Sequence, residues 1–329
     1  YEAWYAYARF NPLYEGRYGM HRGERRADDA TVTVTHSTHK LLAALSQASM
    51  IHIRSGKVPV KPALFNEAFM MHTSTSPQYS IIASTDVSAK MMNDAGGYLT
   101  DESIDEAIAF RQAMVRLNKE IQERDAKDWW FGVWQPDQID GVPFADIDPQ
   151  VLRHGDAWVL KPAATWHGFG DLGSDYCMLD PIKVTVLTPG QTLEGQMETS
   201  GIPAPLVSSF LSSRGIVVEK TEPYSILLLF SLGVTKGKWG SLVAGLMEFK
   251  KHYDGNSPLA QVMPDLVDSH GDRYSDMGLK DLADEMHQDM LATKMLHNVD
   301  QAYTLLPVPV SSPRDTYATL VKGEIEQIA

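Results

Sequence analysis

The sequence predicts a mixed helix-and-strand protein of roughly two domains whose later part is an α+β layer, and three observations carry that prediction. The chain has 329 residues, and a domain usually takes about 100–200. Thr31-Val32-Thr33-Val34-Thr35 alternates and is β-branched, the pattern of a half-buried strand. From residue 184 onward, short apolar runs alternate with segments of helical period, and Gly or Pro stands between them.

Taken in order, residues 23–29 are polar enough for an exposed loop before the strand at 31–35. Leu41, Leu42, Ala44, Leu45 and Ala48 then recur at helical spacing, and Met50-Ile51-His52-Ile53 returns to a strand. Lys40 falls at the junction. Residues from about 100 to 125 predict a long amphipathic helix, capped by Thr100 or Asp101, with Ile104, Ala107, Ile108, Val115 and Ile121 broadly on one side. Strands are expected at 184–187, 216–220 and 225–231, and helices at 203–213, stopped by Gly215, and at 235–253. Residues 264–329 are expected to be helical, broken by Pro307, Pro309 and Pro313.

Composition removes whole classes of function. With 43% hydrophobic and 22% charged residues and no apolar run near the ~18 residues of a span, a membrane protein is not expected. The formal charge of -13 disfavours nucleic acid, whose phosphates it would repel. The single cysteine, Cys177, cannot form an intrachain disulfide; it is expected in the core, in a reducing cytoplasm. The opening Tyr1-Glu2-Ala3-Trp4 has neither Met nor a leader pattern, and the chain is expected to be an internal piece of a longer protein.

The chemistry concentrates at Ser37-Thr38-His39-Lys40, where a lysine at a strand end, beside a histidine and hydroxyls, can bond an aldehyde while its neighbours face a phosphate. Alone the tetrapeptide is a weak signal, since a solvated lysine with His39 as a cap is the ordinary case. His36 and His39 lack a third ligand nearby and do not make a convincing zinc site. Trp129, Trp130, Phe131 and Trp134 suggest an aromatic box for a cation, but core packing is the commoner use of such a run.

The longer run, Thr35-His36-Ser37-Thr38-His39-Lys40-Leu41-Leu42-Ala43-Ala44-Leu45-Ser46-Gln47-Ala48-Ser49-Met50-Ile51-His52, closely resembles the lysine segment of the bacterial ornithine/lysine/arginine decarboxylases. The likeness continues through Phe65-Asn66-Glu67-Ala68-Phe69-Met70-Met71-His72-Thr73-Ser74-Thr75-Ser76-Pro77, Trp166-His167-Gly168-Phe169, Leu179-Asp180-Pro181-Ile182-Lys183-Val184 and Gly215-Ile216-Val217-Val218-Glu219-Lys220. Tyr5-Ala6-Tyr7-Ala8-Arg9-Phe10-Asn11-Pro12, residues 233–240 and residues 257–264 look most like the inducible arginine decarboxylase branch, with lysine and ornithine decarboxylases as alternatives.

The resemblance implies an α/β fold of the type I class of pyridoxal 5'-phosphate (PLP)-dependent enzymes. Residues 1–92 would be the latter part of the large cofactor domain, and 93–329 an α+β C-terminal domain incomplete at its end. It also implies that Lys40 forms the imine with pyridoxal phosphate, that Ser37 and His39 contact its phosphate, and that Ala3 lies against its ring. Ser74, where the family has Thr, would send its hydroxyl across a dimer interface to the neighbouring subunit's phosphate. The implied reaction is decarboxylation of a basic amino acid, arginine to agmatine first, consuming a proton as acid resistance requires. The implied partners are a homodimer and, in the full-length family, a decamer built as a ring of dimers. The family's ring-nitrogen aspartate falls at Tyr1, and losing that charge-assisted hydrogen bond, typically ~1.5–3 kcal/mol, would make the ring a poorer electron sink. With the family's upstream half also missing, the chain is expected not to work alone. The rival readings are an aminotransferase of the same fold, for which no second carboxylate-binding arginine stands out, and an inactive piece that only associates with intact subunits. A Ser/His hydrolase is weaker still, since no GxSxG elbow is present.

Overall fold

The computed structural model describes residues 2–21, 23, 28–173 and 177–295. Tyr1, most of the expected 23–29 loop, and the Pro307, Pro309 and Pro313 region lie outside the described residues.

After two 3-10 turns, Ala6–Phe10 and Pro12–Tyr14, β1 (Val32–His36) leads directly into the one-turn helix α1 (Thr38–Leu41), which carries Lys40. Strand β2 (Met50–Arg54) returns antiparallel to β1, with His36 opposite Met50 and Val34 opposite His52. The two strands fall where alternation predicts them, but the expected helix over 41–48 does not form. Ser88 donates its hydroxyl to the Leu42 carbonyl and Ser84 accepts the Leu45 amide at 3.1 Å, so these backbone groups are claimed from outside the segment. Ala43 and Gln47 take left-handed backbone angles, φ 59 and 75, which a helix cannot propagate. Leu41, Leu42 and Ala48 are buried nonetheless, so the apolar spacing is satisfied by a loop.

Helix α2 (Pro62–His72) follows, with Pro at its start and no buried residue. Helix α3 (Tyr79–Arg124) is 46 residues long and begins at Tyr79, well before residue 100 where the amphipathic pattern starts. Its first half buries Ser88, Met92, Gly96 and Thr100, one residue per turn and only one of them strongly apolar. A Cβ on Gly96 would come within 2.7 Å of the Phe10 ring, so this glycine is what lets the N-terminal turn lie against the helix. The second half buries Ile104, Ala107 and Ile108, as the sequence predicts, together with Phe110 and Met114, while the expected Val115 and Ile121 are only partly buried.

Beyond α3 come the short strands β3 (Gly132–Val133), β4 (Gln138–Ile139) and β5 (Val142–Pro143), then helix α4 (Pro149–Leu152). Next are β6 (Lys183–Leu187), α5 (Ala204–Ser212), β7 (Lys220–Thr221) and β8 (Ser225–Leu229). An antiparallel sheet in the order β3-β6-β8-β7 results, with Val184, Val186, Ile226 and Leu228 buried by strict alternation. The strand expected at 216–220 shrinks to β7, because ladder pairing with β8 begins only at Glu219, and Val217 is 86% exposed. Helix α6 (Lys236–Asp254) packs on α5, Phe210 meeting Phe249 edge-on at 5.2 Å, and the short helices α7 (Leu259–Val262), α8 (Pro264–Tyr274) and α9 (Leu279–Ala292) complete the body.

Trp130 and Phe131 are buried, and Trp129 and Trp134 pack partly buried against the core, as expected of a packing cluster. Cys177 is half-buried against the same core. Among the described residues no helix is long and apolar enough to cross a membrane.

Candidate active site

The site is built around the turn between β1 and β2. Lys40 N–H is held by the Ser37 carbonyl at 3.0 Å, and the His39 amide by the Ala48 carbonyl at 3.2 Å, so both ends of the turn are fixed by backbone bonds. The Lys40 side chain is exposed, and its Nζ lies 5.3 Å from the centroid of the Trp4 ring. His39 turns Nδ1 to the same Ala48 carbonyl at 2.8 Å, which makes Nδ1 the donor and leaves Nε2 for a ligand. Ser37 precedes α1 without capping it, so its hydroxyl remains available. The Thr38 hydroxyl is buried with no hydrogen-bond partner, an unsatisfied donor inside the turn that carries Lys40.

Ala3 joins this group through the backbone, its carbonyl accepting the Ser37 amide at 3.3 Å, and its side chain is only 3% exposed. Ser74 does not join it. Ser74 sits in the exposed turn after α2, where its Oγ accepts the Ser76 amide at 3.1 Å. The described structure therefore brings Lys40, Ser37, His39 and Ala3 together and leaves Ser74 apart.

Two supporting clusters went unseen in the sequence. Glu2 accepts the Gly19 amide at 2.6 Å and meets His36 Nε2 at 3.1 Å, and His36 packs against His52 with the rings tilted, 4.8 Å between centroids. The Glu2 carboxylate is thus engaged by backbone and imidazole. His52 Nε2 is buried without a partner; burial, with the neighbouring His36, holds this imidazole below its ordinary pKa, while Glu2 opposes.

The second cluster anchors the N-terminal turns to the start of β6. Tyr7 and Tyr14 both donate to Asp180, the latter at 2.8 Å, and Lys183 pairs with Asp180 at 3.1 Å while lying over the Tyr5 and Tyr7 rings. Burial first, and the Asp180 charge second, drive the Tyr7 and Tyr14 hydroxyls well above their ordinary pKa, so both remain donors. Close by, the fully buried Arg111 donates to the carbonyls of Pro181, Trp134 and Lys183 and to the Gln135 side chain. Burial lowers its pKa and Asp180 opposes. The partners are 173 and 166 residues apart for the two tyrosines, a distance no local pattern reveals.

His36 and His39 point to different partners, Glu2 and Ala48. Among the described residues no group of three or more His, Cys, Asp or Glu is arranged to hold a metal ion.

Residues 1–238 match the family model described as "Orn/Lys/Arg decarboxylase, major domain". Over 99% of its length the chain is 51% identical to lysine decarboxylase LdcA of Pseudomonas aeruginosa, covering 42% of that protein. It is 45% identical to the biodegradative arginine decarboxylase of Escherichia coli over its whole length, covering 44% of that enzyme. In three dimensions it matches lysine decarboxylase A from Pseudomonas aeruginosa with a TM-score of 0.84 at 50% identity, over 99% of this chain and 42% of that one. The E. coli constitutive lysine decarboxylase matches with a TM-score of 0.80 at 41% identity, over 99% of this chain and 43% of that one. The chain spans less than half the length of these relatives, and the arginine branch is not singled out among them. On the family match and on these identities, the chain belongs to the ornithine/lysine/arginine decarboxylase family.

Proposed function

We propose that this chain is the part of a PLP-dependent basic amino-acid decarboxylase that carries the reactive lysine, Lys40. The observation that supports it most is the turn itself: an exposed amine at a strand end, beside a hydroxyl not used to cap the helix and an imidazole anchored through Nδ1. This donor set suits an aldehyde cofactor with a phosphate. When bound, pyridoxal phosphate supplies an electron sink for the bond to the departing carboxylate.

In this reading Lys40 is the amine that holds the cofactor and afterwards carries a proton near the substrate's Cα. Ser37 and His39 bind the phosphate, His39 donating through Nε2 when its ring is protonated. Ala3, whose small side chain is buried, is tied to the turn through its carbonyl, and the Tyr7–Tyr14–Asp180 cluster fixes the segment on which Ala3 sits. Lysine or arginine is the proposed substrate, the first supported by the 51% identity to a lysine decarboxylase and the second by the 45% identity to an arginine decarboxylase. The division into a cofactor-bearing part up to residue 92 and a C-terminal α+β part remains part of the proposal; α3 runs continuously across that boundary.

The exposed α2 supports a second element, a homodimer whose interface includes Ser74. Residues 62–80 are all exposed except Phe65, and Leu64, Met71 and Tyr79 are 65%, 79% and 79% exposed. So many large apolar side chains on one arm call for a covering surface.

Because the chain is not expected to turn over substrate alone, the test follows the imine absorbance of the chain with pyridoxal phosphate as lysine, arginine or ornithine is added separately. Lys40→Ala serves as the control. An imine band that is lost in Lys40→Ala and is displaced by one of the amino acids supports the reading; no band, or a band formed equally by Lys40→Ala, overturns it.

A further inference from the structure

A second lysine reaches the Lys40 turn from the C-terminal sheet. Lys220 Nζ lies 5.0 Å from the centroid of the Trp4 ring, the same indole that Lys40 Nζ approaches at 5.3 Å. The two arrive from different elements: Lys40 from α1, and Lys220 from β7, where its backbone is paired with Leu227 of β8. Neither lysine has an ion-pair partner among the described residues, although the chain carries a formal charge of -13. Two ammonium groups repel, and what draws both to one place is the negative face of the indole. Trp4 follows Ala3, whose carbonyl holds the Ser37 amide, so the shared ring belongs to a segment already hooked to the Lys40 turn.

We propose that Lys220 is a positioning residue for the Lys40 amine. It holds the Trp4 indole from the sheet side, and the indole in turn sets where the Lys40 amine waits. With Lys220 removed, the Lys40 ammonium has the ring to itself, settles on it more firmly and reacts more slowly. An arginine at position 220 keeps the cation on the ring, whereas a methionine of similar length does not. The inference rests on the reading of Lys40 as the reactive lysine, but its geometry can be tested without the cofactor.

The experiment is trace labelling of the full chain with acetic anhydride, the Lys40 peptide being quantified by mass spectrometry against those of Lys57 and Lys61. Thermal melts of each variant confirm folding. Lys220→Met is expected to slow Lys40 labelling about threefold, while Lys220→Arg stays within about twofold of the parent. In a Trp4→Leu background Lys220→Met is expected to change nothing, because the shared ring is gone. Unchanged Lys40 labelling in Lys220→Met overturns the proposal, and so does a slowing that persists without Trp4. Pyridoxal phosphate labelling on the same proteins separates the two readings. If the parent's Lys40 takes no cofactor but still shows the Lys220- and Trp4-dependent change, the cofactor assignment fails and the positioning geometry stands.

Discussion

The first half of α3, with α2 before it, and the second half of α3 within the body are built from one chain under opposite rules. From residue 62 to 80 every residue but Phe65 is exposed, and Ile82 and Val87 are still 54% and 66% exposed. Five residues after Val87, Met92 is buried, and from Ile104 to Met114 the helix faces a core that includes Trp158, Phe210 and Phe249, all 0% exposed. Helix propensity does not explain the difference, since one helix runs through both regions. The difference is tertiary: among the described residues the body's apolar groups pack into one core, and most of the arm's large apolar side chains stay exposed. The Lys40 turn sits at the boundary, held by Ser84 and Ser88 of the arm's helix on one side and by Ala3 and the Tyr7–Tyr14–Asp180 anchor on the other.

The largest expected effect lies in the body. Phe210→Ala should lower unfolding stability by roughly 3–5 kcal/mol, since it empties a fully enclosed site between α5 and α6. The same truncation in the arm, Phe69→Ala, should change it far less, and urea denaturation of the two variants measures the contrast.

Next comes the anchor. Tyr14→Phe removes a buried hydrogen bond to a carboxylate and should cost about 1.5–3 kcal/mol in the same assay. Tyr98→Phe, whose hydroxyl meets Glu102 on the exposed face of α3, should fall within about 0.5 kcal/mol of the parent.

How much of this was legible in the sequence follows the same division. Strands β6 and β8 were readable because Val184, Val186, Ile226 and Leu228 alternate with residues half in solvent. Helices α5 and α6 and the second half of α3 were readable for the same reason at helical period. The first half of α3 was hidden, since its buried stripe of Ser88, Met92, Gly96 and Thr100 has little hydrophobicity and Gly96-Gly97 argues against a helix. The helix expected at 41–48 failed because serines of α3, dozens of residues away, take its backbone groups. At the site, Ser37, His39 and Lys40 were legible as one local run. Trp4 with Lys220 and Asp180 with Tyr7 and Tyr14 were not, because each pairing spans much of the chain.

A smaller effect is set by pH at the base of the hairpin. Burial and His36 depress the pKa of His52, so the unfolded chain takes up that proton first as pH falls. The contribution is present above the ordinary histidine value, about 6.5, and is lost as pH drops through the lower folded value. Comparing urea midpoints at about pH 7.5 and about pH 5, the parent should lose more stability than His52→Gln. An equal loss in both would remove His52 from the account.

The smallest effect on folding, and the sharpest on the comparison, is expected from the arm. Leu64→Ser should leave the unfolding midpoint within about 0.5 kcal/mol of the parent. In sedimentation it should weaken any self-association of the chain, because the arm's apolar side chains are exposed among the described residues. Amide exchange should follow the same division, fast in α2 and slow in β6, β8 and the second half of α3.

The central claim is that Lys40 is the reactive lysine of this chain. Its most direct test is to add pyridoxal phosphate, reduce with borohydride and map the labelled peptides. The account predicts a label concentrated on Lys40 and absent from Lys40→Ala; a label spread over exposed lysines such as Lys57, Lys61 and Lys90, with none favouring Lys40, would contradict it.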